Sequence, residues 1–191
     1  MSAALLHHIA QYTKLPAGED QELLNFFRRI NVNKKEMLLE EGQSCKTHYF
    51  VEKGCLRMFF LNSKGVEQTT QFAIENWWIT DHMAFQLQKP ASFYIQSVEA
   101  SQLLALDFQV QEKLFLRFPQ MESYFRQLYE RAYAASQTRV KYLYDLSKED
   151  HYRNFIEKYP GFAQRIPQYL LASFLGFTPE YLSEIRKKHR S

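Results

Sequence analysis

Long apolar runs are missing from this 191-residue sequence: none exceeds four residues, far below the roughly 20 that a membrane-spanning helix needs. The opening MSAALLHHIAQY lacks the basic start and extended apolar stretch of a secretion signal, so a cytoplasmic protein with no membrane partner is expected. Cysteine is scarce. Cys45 and Cys55 are too few for a disulfide framework and lack the CxxC spacing of a zinc or iron-sulfur site, so both read as free thiols in a reducing compartment. The six histidines contain no HxH pair, which argues against the metal centre of a cupin-like β-roll enzyme. No nucleophile elbow or phosphate loop occurs either. No catalytic residue, metal or cofactor is therefore expected.

Charge of one sign is also in short supply, with a net of +3, but its distribution is uneven. Residues 1–118 carry 12 Lys and Arg against 13 Asp and Glu, a net of −1, whereas residues 119–191 carry 12 against 8, a net of +4. Positive potential therefore gathers on the C-terminal part, as a protein that meets nucleic acid there would require. Hydrophobic residues make up 46% of the chain and aromatics 16%, ample material for a packed core.

The stretch from Ile166 to Arg190, IPQYLLASFLGFTPEYLSEIRKKHR, has the layout of a helix-turn-helix. A first helix is predicted from about Pro167 to Phe174, a turn at Gly176, and a second helix from Thr178 to about Lys188. Leu171, Leu175, Phe177, Leu182 and Ile185 fall where two short helices would pack, and Ala172 is small where they must approach closely. Thr178 followed by Pro179 is a strong helix start. The second helix then offers Thr178, Glu180, Tyr181, Ser183, Arg186 and Lys187 as candidate DNA-binding residues. Its polar start would reach base edges, and the basic run from Arg186 to Arg190 would lie near phosphates.

Upstream, residues 4–12 and 19–30 have helical patterns. From Asn33 the period changes: MLLEEG, HYFVEKG and CLRMFFLNSKG end at Gly42, Gly54 and Gly65, so turn glycines recur every eleven or twelve residues between short β-rich runs. That spacing predicts antiparallel strands of a roll or sandwich. Further strands are expected at about 66–72, 93–100 and 102–107, with a short helix or loop between them around Trp77 and Trp78. A helix over 108–117 follows. Met121, Phe125, Leu128, Ala132, Ala135, Arg139, Tyr142 and Leu146 then recur by fours and threes, the seam of a coiled coil. Phe125, Leu128, Ala132, Ala135 and Tyr142 are the candidate contacts of a homodimer, although a helix laid on its own domain would show a similar stripe. Residues 147–158 form another helix, with Ser147 and Asp150 spaced as a capping box.

A β-roll with turn glycines, a long helix and a terminal LLASFLGFTPEYLSEIRKK, in that order, resembles the Crp-Fnr family of bacterial transcription regulators. The stop just after the second helix resembles Bacteroidetes-type members. The resemblance implies an α+β chain: an antiparallel cyclic-nucleotide-binding-like β-roll (double-stranded β-helix) over 1–118, a dimerisation helix over 119–146 and a helix-turn-helix domain over 147–191. It implies a homodimer that binds double-stranded DNA, works with RNA polymerase and answers a small-molecule effector. Cyclic AMP is not the expected effector. Family members that bind it hold the ribose on a Gly-Glu pair and the phosphate on an Arg-Ser pair. Here the corresponding positions are Thr80 with Asp81 and Ala91 with Ser92, and only Ser92 matches. A buried cyclic phosphate with no cation beside it costs several kcal/mol, and Lys89 is the only nearby substitute. Trp77, Trp78, Asp81, Lys89 and Ser92 are the candidate effector-pocket residues. The Fnr-type cysteine cluster is absent before Cys45. A sensor or adaptor of the same fold without DNA binding is the main alternative, and two glutamates, Glu180 and Glu184, on the second helix favour it.

Overall fold

The turn glycines mark real strand ends. In the computed structural model, which describes residues 3–188, Gly42, Gly54 and Gly65 all take positive φ. Gly54 is the most constrained: at φ +112, a Cβ there would lie 2.1 Å from Ser101 Oγ and 2.7 Å from its Cα. Only glycine lets the chain turn this close to a neighbouring strand.

The chain begins with α1 (Ala3–Ala10) and α2 (Asp20–Leu24), followed by β1 (Arg28–Val32), β2 (Met37–Leu39), β3 (Thr47–Lys53), β4 (Leu56–Leu61), β5 (Glu67–Ala73) and β6 (Trp78–Ile79). Then come α3 (His82–Leu87), β7 (Tyr94–Ser97), β8 (Ser101–Asp107), α4 (Phe108–Arg117) and α5 (Gln120–Asp145). The last helices are α6 (Lys148–Lys158), α7 (Pro160–Arg165), α8 (Gln168–Leu175) and α9 (Pro179–Lys188). The strands form two sheets, in the orders β1-β8-β3-β6 and β2-β7-β4-β5. The pairings of β1 with β8, β3 with β8 and β6, and β7 with β2 and β4 are antiparallel. This is an α+β chain built on an antiparallel β-roll with a long helix.

The helix predicted over 19–30 is corrected by the structure. Its apolar spacing holds only to Leu24, and Arg28–Val32 leaves the helix to pair with β8 along its whole length. The β-branched Ile30 and Val32 suit that strand. Pro160, just past the helix expected over 147–158, opens the unforeseen α7 from its first position. The tryptophan stretch contributes a two-residue strand, β6, besides the short helix α3.

The molecule divides into two compact units. The first runs to Phe60 and resumes over Gln71–Glu130; the second joins Leu61–Thr70 to the chain from Arg131 on. The divide thus falls inside α5, and the tip of the β4–β5 hairpin clusters with the C-terminal helices. Within the first unit, Val51, Leu56, Ile79, Ile95, Leu103 and Ala105 fill the roll. A second cluster joins Phe50, Trp78 and Leu104 to Leu114 and Phe118 at the α4 end and Met121, Tyr124 and Phe125 of α5, with Leu5 and Ile9 of α1 beside them. In the second unit Tyr152, Phe155, Leu171, Ala172, Leu175, Leu182 and Ile185 form the core.

Candidate functional site

Asp81 stands at the N-terminus of α3 and is almost fully buried. One carboxylate oxygen accepts the Ala84 N–H at 3.1 Å and the other the Ser92 N–H at 2.9 Å. The candidate pair Asp81 and Ser92 is thus brought together, but by a bond that commits the carboxylate to the protein's own backbone. Beside it, the Thr80 hydroxyl donates to the Thr47 carbonyl at 3.0 Å and lies 3.2 Å from Cys45 Sγ. Burial pushes the Cys45 thiol up from its ordinary value, so it stays protonated and is a poor nucleophile.

The other candidate effector residues lie elsewhere. Trp77 is 42% exposed, and Lys89 is also at the surface. Trp78 is core: its indole N–H donates to the Tyr124 hydroxyl at 2.7 Å, and that hydroxyl lies 2.7 Å from Nδ1 of His8. The five residues therefore do not line one pocket. A cavity of about 130 Å³ does open nearby, lined by Leu38, Gln43, Cys45, Lys46, Thr47 and Tyr49 among others, and it touches none of the five. It is smaller than the roughly 300–1,000 Å³ typical of small-molecule sites.

No motif or spacing marks His48 in the sequence. It lies on β3 with no exposed surface, and neither ring nitrogen has a hydrogen-bond partner. Rings surround it, with Trp78 at 4.6 Å, His82 at 5.4 Å, Phe85 and Phe125 each at 5.8 Å, and Tyr129 at 6.3 Å between centroids. Burial, helped by His82 alongside, holds its imidazole well below the ordinary value. Burial also pushes the Tyr129 phenol up to about 12. The signal in sequence was weak: a histidine on an otherwise apolar strand. Among the described residues no group of three or more His, Cys, Asp and Glu could hold a metal ion.

At the other end of the chain, α8 closes with a Schellman turn. Gly176 sits at φ +76, the Phe177 N–H reaches the Ala172 carbonyl at 2.8 Å, and the Gly176 N–H reaches that of Ser173 at 3.2 Å. Thr178 then caps α9, its hydroxyl accepting the Tyr181 N–H at 3.2 Å. Leu182 and Ile185 are buried, and Glu180, Ser183, Glu184 and Lys187 are exposed. Spaced by three and four, these four exposed residues share one outward face. Tyr181 is turned aside from it. Half-buried, its ring packs against Phe177 at 5.7 Å and under the Lys148 ammonium at 5.1 Å. Arg186 is also half-buried. Lys188 pairs with Glu149 at 2.9 Å. The basic run was expected to continue through His189 and Arg190, which lie outside the described residues.

Several positions of the predicted coiled-coil seam turn inward on their own unit, Met121 among them. Phe125 is 2% exposed in the aromatic cluster and Leu128 packs beside it, so Phe125 offers no surface to a second chain, a correction to its assignment as a dimer contact. Ala132 and Ala135 are exposed, while Tyr142 is half-buried with its ring 6.4 Å from His151. The exposed apolar side chains of α5 are Tyr133, Val140, Leu143 and Tyr144. An undistorted helix drifts about 20° per heptad, so a strict seven-residue seam does not stay on one face.

Residues 29–118 match the cyclic nucleotide-binding domain family. A curated relative, the anaerobic regulatory protein of Haemophilus influenzae, is 21% identical over 83% of this chain, which spans 65% of that protein's length. The fold is similar to FixK2 of Bradyrhizobium japonicum, with a TM-score of 0.72 and 13% identity over 85% of this chain and 83% of that one. It is similar to CLP, a c-di-GMP-responsive global regulator of Xanthomonas campestris, with a TM-score of 0.72 and 14% identity over 92% of each chain. These relatives include regulators, and none is named as an enzyme. The roll of two antiparallel sheets and the short helix capped by Asp81 both fall in the matched segment, so residues 29–118 are similar in sequence and in architecture to the cyclic nucleotide-binding domain family.

Proposed function

We propose that this chain is a transcription regulator of the Crp-Fnr kind, which reads double-stranded DNA with α9 and answers a signal at its roll. The observation that carries this reading is the α8–α9 pair: a Schellman turn, a capped second helix and an outward polar face ending in cations, downstream of a cyclic nucleotide-binding domain. Similarity to the anaerobic regulatory protein and to CLP supports it. Glu180 and Ser183 are the residues for base edges, Thr178 sets the start of α9, and Arg186 and Lys187 meet phosphate or guanine. Tyr181 supports the helix from the side. A homodimer would form along the exposed α5 stripe of Ala132, Ala135, Val140 and Leu143, since reading a two-fold operator requires two copies.

The effector on this reading is not cyclic AMP. The Ser92 N–H is already engaged by Asp81, and the position before it is the buried Ala91, with no cation. A free cyclic phosphate would meet a buried carboxylate there.

The test is fluorescence anisotropy on the chain's own upstream DNA against random duplex, across a salt series. Selective binding with a steep salt slope is the expected result. The outward pair Glu180 and Glu184 favours a second reading, a sensor or adaptor that does not bind DNA. Absence of binding to either duplex, with and without added metabolite extract, would establish that one instead.

A further inference from the structure

Arg139 falls on the predicted seam of α5, yet its guanidinium is turned into its own unit. It donates to the carbonyl of Thr70 on β5 and, through a second nitrogen, to the carbonyl of Phe174 at 2.9 Å, with its carbon 4.2 Å from the centre of the Phe174 ring. Burial lowers its pKa from the ordinary value, and no carboxylate pairs with it among the described residues. A charge partly withdrawn from water, satisfied only by neutral carbonyls and with its Nε lacking a partner, is costly to keep, which points to a task.

The task follows from what it touches. The last turn of any α-helix leaves four carbonyls without intrahelical partners. In α8 the Ala172 and Ser173 carbonyls accept the Phe177 and Gly176 N–H groups of the turn, and the Phe174 carbonyl accepts Arg139. A cation there also faces the negative end of the helix. One residue earlier, Ser173 reinforces the same junction: its hydroxyl accepts the Thr69 N–H at 2.9 Å and donates to the Glu67 carbonyl at 2.9 Å. Glu67–Thr70 and the end of α8 are thus knit by two side chains, one of them from α5. The carbonyl that Arg139 holds lies two residues before Gly176, where the chain turns toward α9. Strand β5 itself continues past Thr70 into the roll unit as Gln71–Ala73.

We propose that Arg139 is a positioning residue for DNA recognition, holding the end of α8, and through it the reading helix α9, to the β4–β5 hairpin. The proposal rests on the DNA-binding reading above. Arg139 makes no contact with phosphate in this role, so its loss changes affinity and leaves the salt slope alone. That separates it from Lys187, whose removal would lower the slope by about one.

The experiment measures two things on Arg139→Gln and Arg139→Lys: anisotropy across salt on selective and random duplex, and amide hydrogen exchange. Arg139→Gln is expected to weaken selective binding about tenfold, the scale of a lost charged hydrogen bond, at constant salt slope. The amides of Thr69, Gly176 and Tyr181 should exchange faster. Arg139→Lys, a point charge that cannot span both carbonyls, should fall between. Should Arg139→Gln fail to fold, Ser173→Ala carries the test with the same readouts. Unchanged selective affinity, or a reduced salt slope, overturns the positioning role. If the wild-type chain binds no DNA, the DNA-binding reading fails by itself and exchange still decides the clamp: faster exchange at Tyr181 supports it, and unchanged exchange overturns it.

Discussion

His48 in the roll and Arg139 in the helical unit are both polar side chains withdrawn from water, but they are accommodated in opposite ways. The imidazole is enclosed by rings and neither nitrogen has a hydrogen-bond partner; the guanidinium leaves only its Nε without one and has two carbonyls and an aromatic face. The first arrangement holds only while the side chain stays neutral, because nothing around it compensates a charge. The second holds a charge permanently, since arginine does not lose its proton in proteins. The roll is therefore the unit whose packing should answer to pH, whereas the clamp on α8 should hold across the same range. Among the described residues of the second unit, its neighbour His151, held below its ordinary value by burial and then by Arg139, is the histidine that this contrast must allow for.

The largest effect should come from the aromatic cluster itself. Phe125→Ala empties a site at 2% exposure that touches His48, Trp78, Phe115, Tyr124 and Tyr129 by ring contacts. A loss of about 3–5 kcal/mol is expected. Val140→Ala, on the exposed side of the same helix, should leave stability almost untouched and weaken self-association instead. Denaturant unfolding followed by tryptophan fluorescence reads the first unit, where Trp77 and Trp78 lie, and circular dichroism of the helices reads the second, where Val140 lies. Sedimentation across a concentration series reads the second effect. Equal destabilisation by both substitutions would mean that Val140 is core and that α5 presents no interface there.

The pH comparison comes next. Unfolded, His48 takes up its proton near pH 6.5; folded, it does so only well below that value, because it is buried beside His82. Below pH 6.5 the unfolded state thus binds more protons, and stability falls as the pH falls. Above pH 6.5 both states are neutral and the term vanishes. The loss should grow steadily as the pH falls below 6.5. His48→Leu, similar in volume and without polar atoms, should flatten the fluorescence-monitored slope. An undiminished slope in that variant would place the pH response elsewhere. A smaller loss, about 1–2 kcal/mol at all pH values, is expected for Tyr124→Phe, which leaves the buried Trp78 N–H without its acceptor.

Much of this architecture is legible in the sequence because it depends on local chemistry. The turn glycines, the Ser147 cap that accepts the Asp150 N–H and the LGFTP turn each require particular residues at particular spacings. The period of two in LRMFFL is local too, with Leu56 and Met58 facing the roll interior while Arg57 and Phe59 cover the other side. What escaped sequence reasoning depends on distant partners. Arg28–Val32 looks helical until β8, some seventy residues away, offers it a ladder. Trp78 looks like a ligand box until the Tyr124 hydroxyl takes its N–H. The candidate site divides the same way: the exposed face of α9 follows from helical period, but the inward turn of Arg139 needed the hairpin's carbonyls to be in place. Spacing alone made it a seam residue.

The two helix caps extend the contrast between the units to a smaller scale. Asp81 caps α3 from inside the roll and holds two N–H groups, one from its own helix and one from Ser92. Thr178 caps α9 at the surface with one hydroxyl bond to the Tyr181 N–H. Removing the second should cost about 1 kcal/mol, because water can replace the lost acceptor at an exposed helix end. Removing the first leaves the buried Ala84 N–H, which water reaches poorly, so Asp81→Ala should cost more. The consequence for function runs the other way. Thr178→Ala should leave roll fluorescence unchanged yet fray the first turn of α9, which carries Glu180, and thereby blunt discrimination between selective and random duplex. Hydrogen exchange at Tyr181 together with the affinity ratio measures both. If the amide loses protection while the ratio stays constant, the first turn of α9 does not read bases, and any readout must come from Ser183 and the residues beyond it.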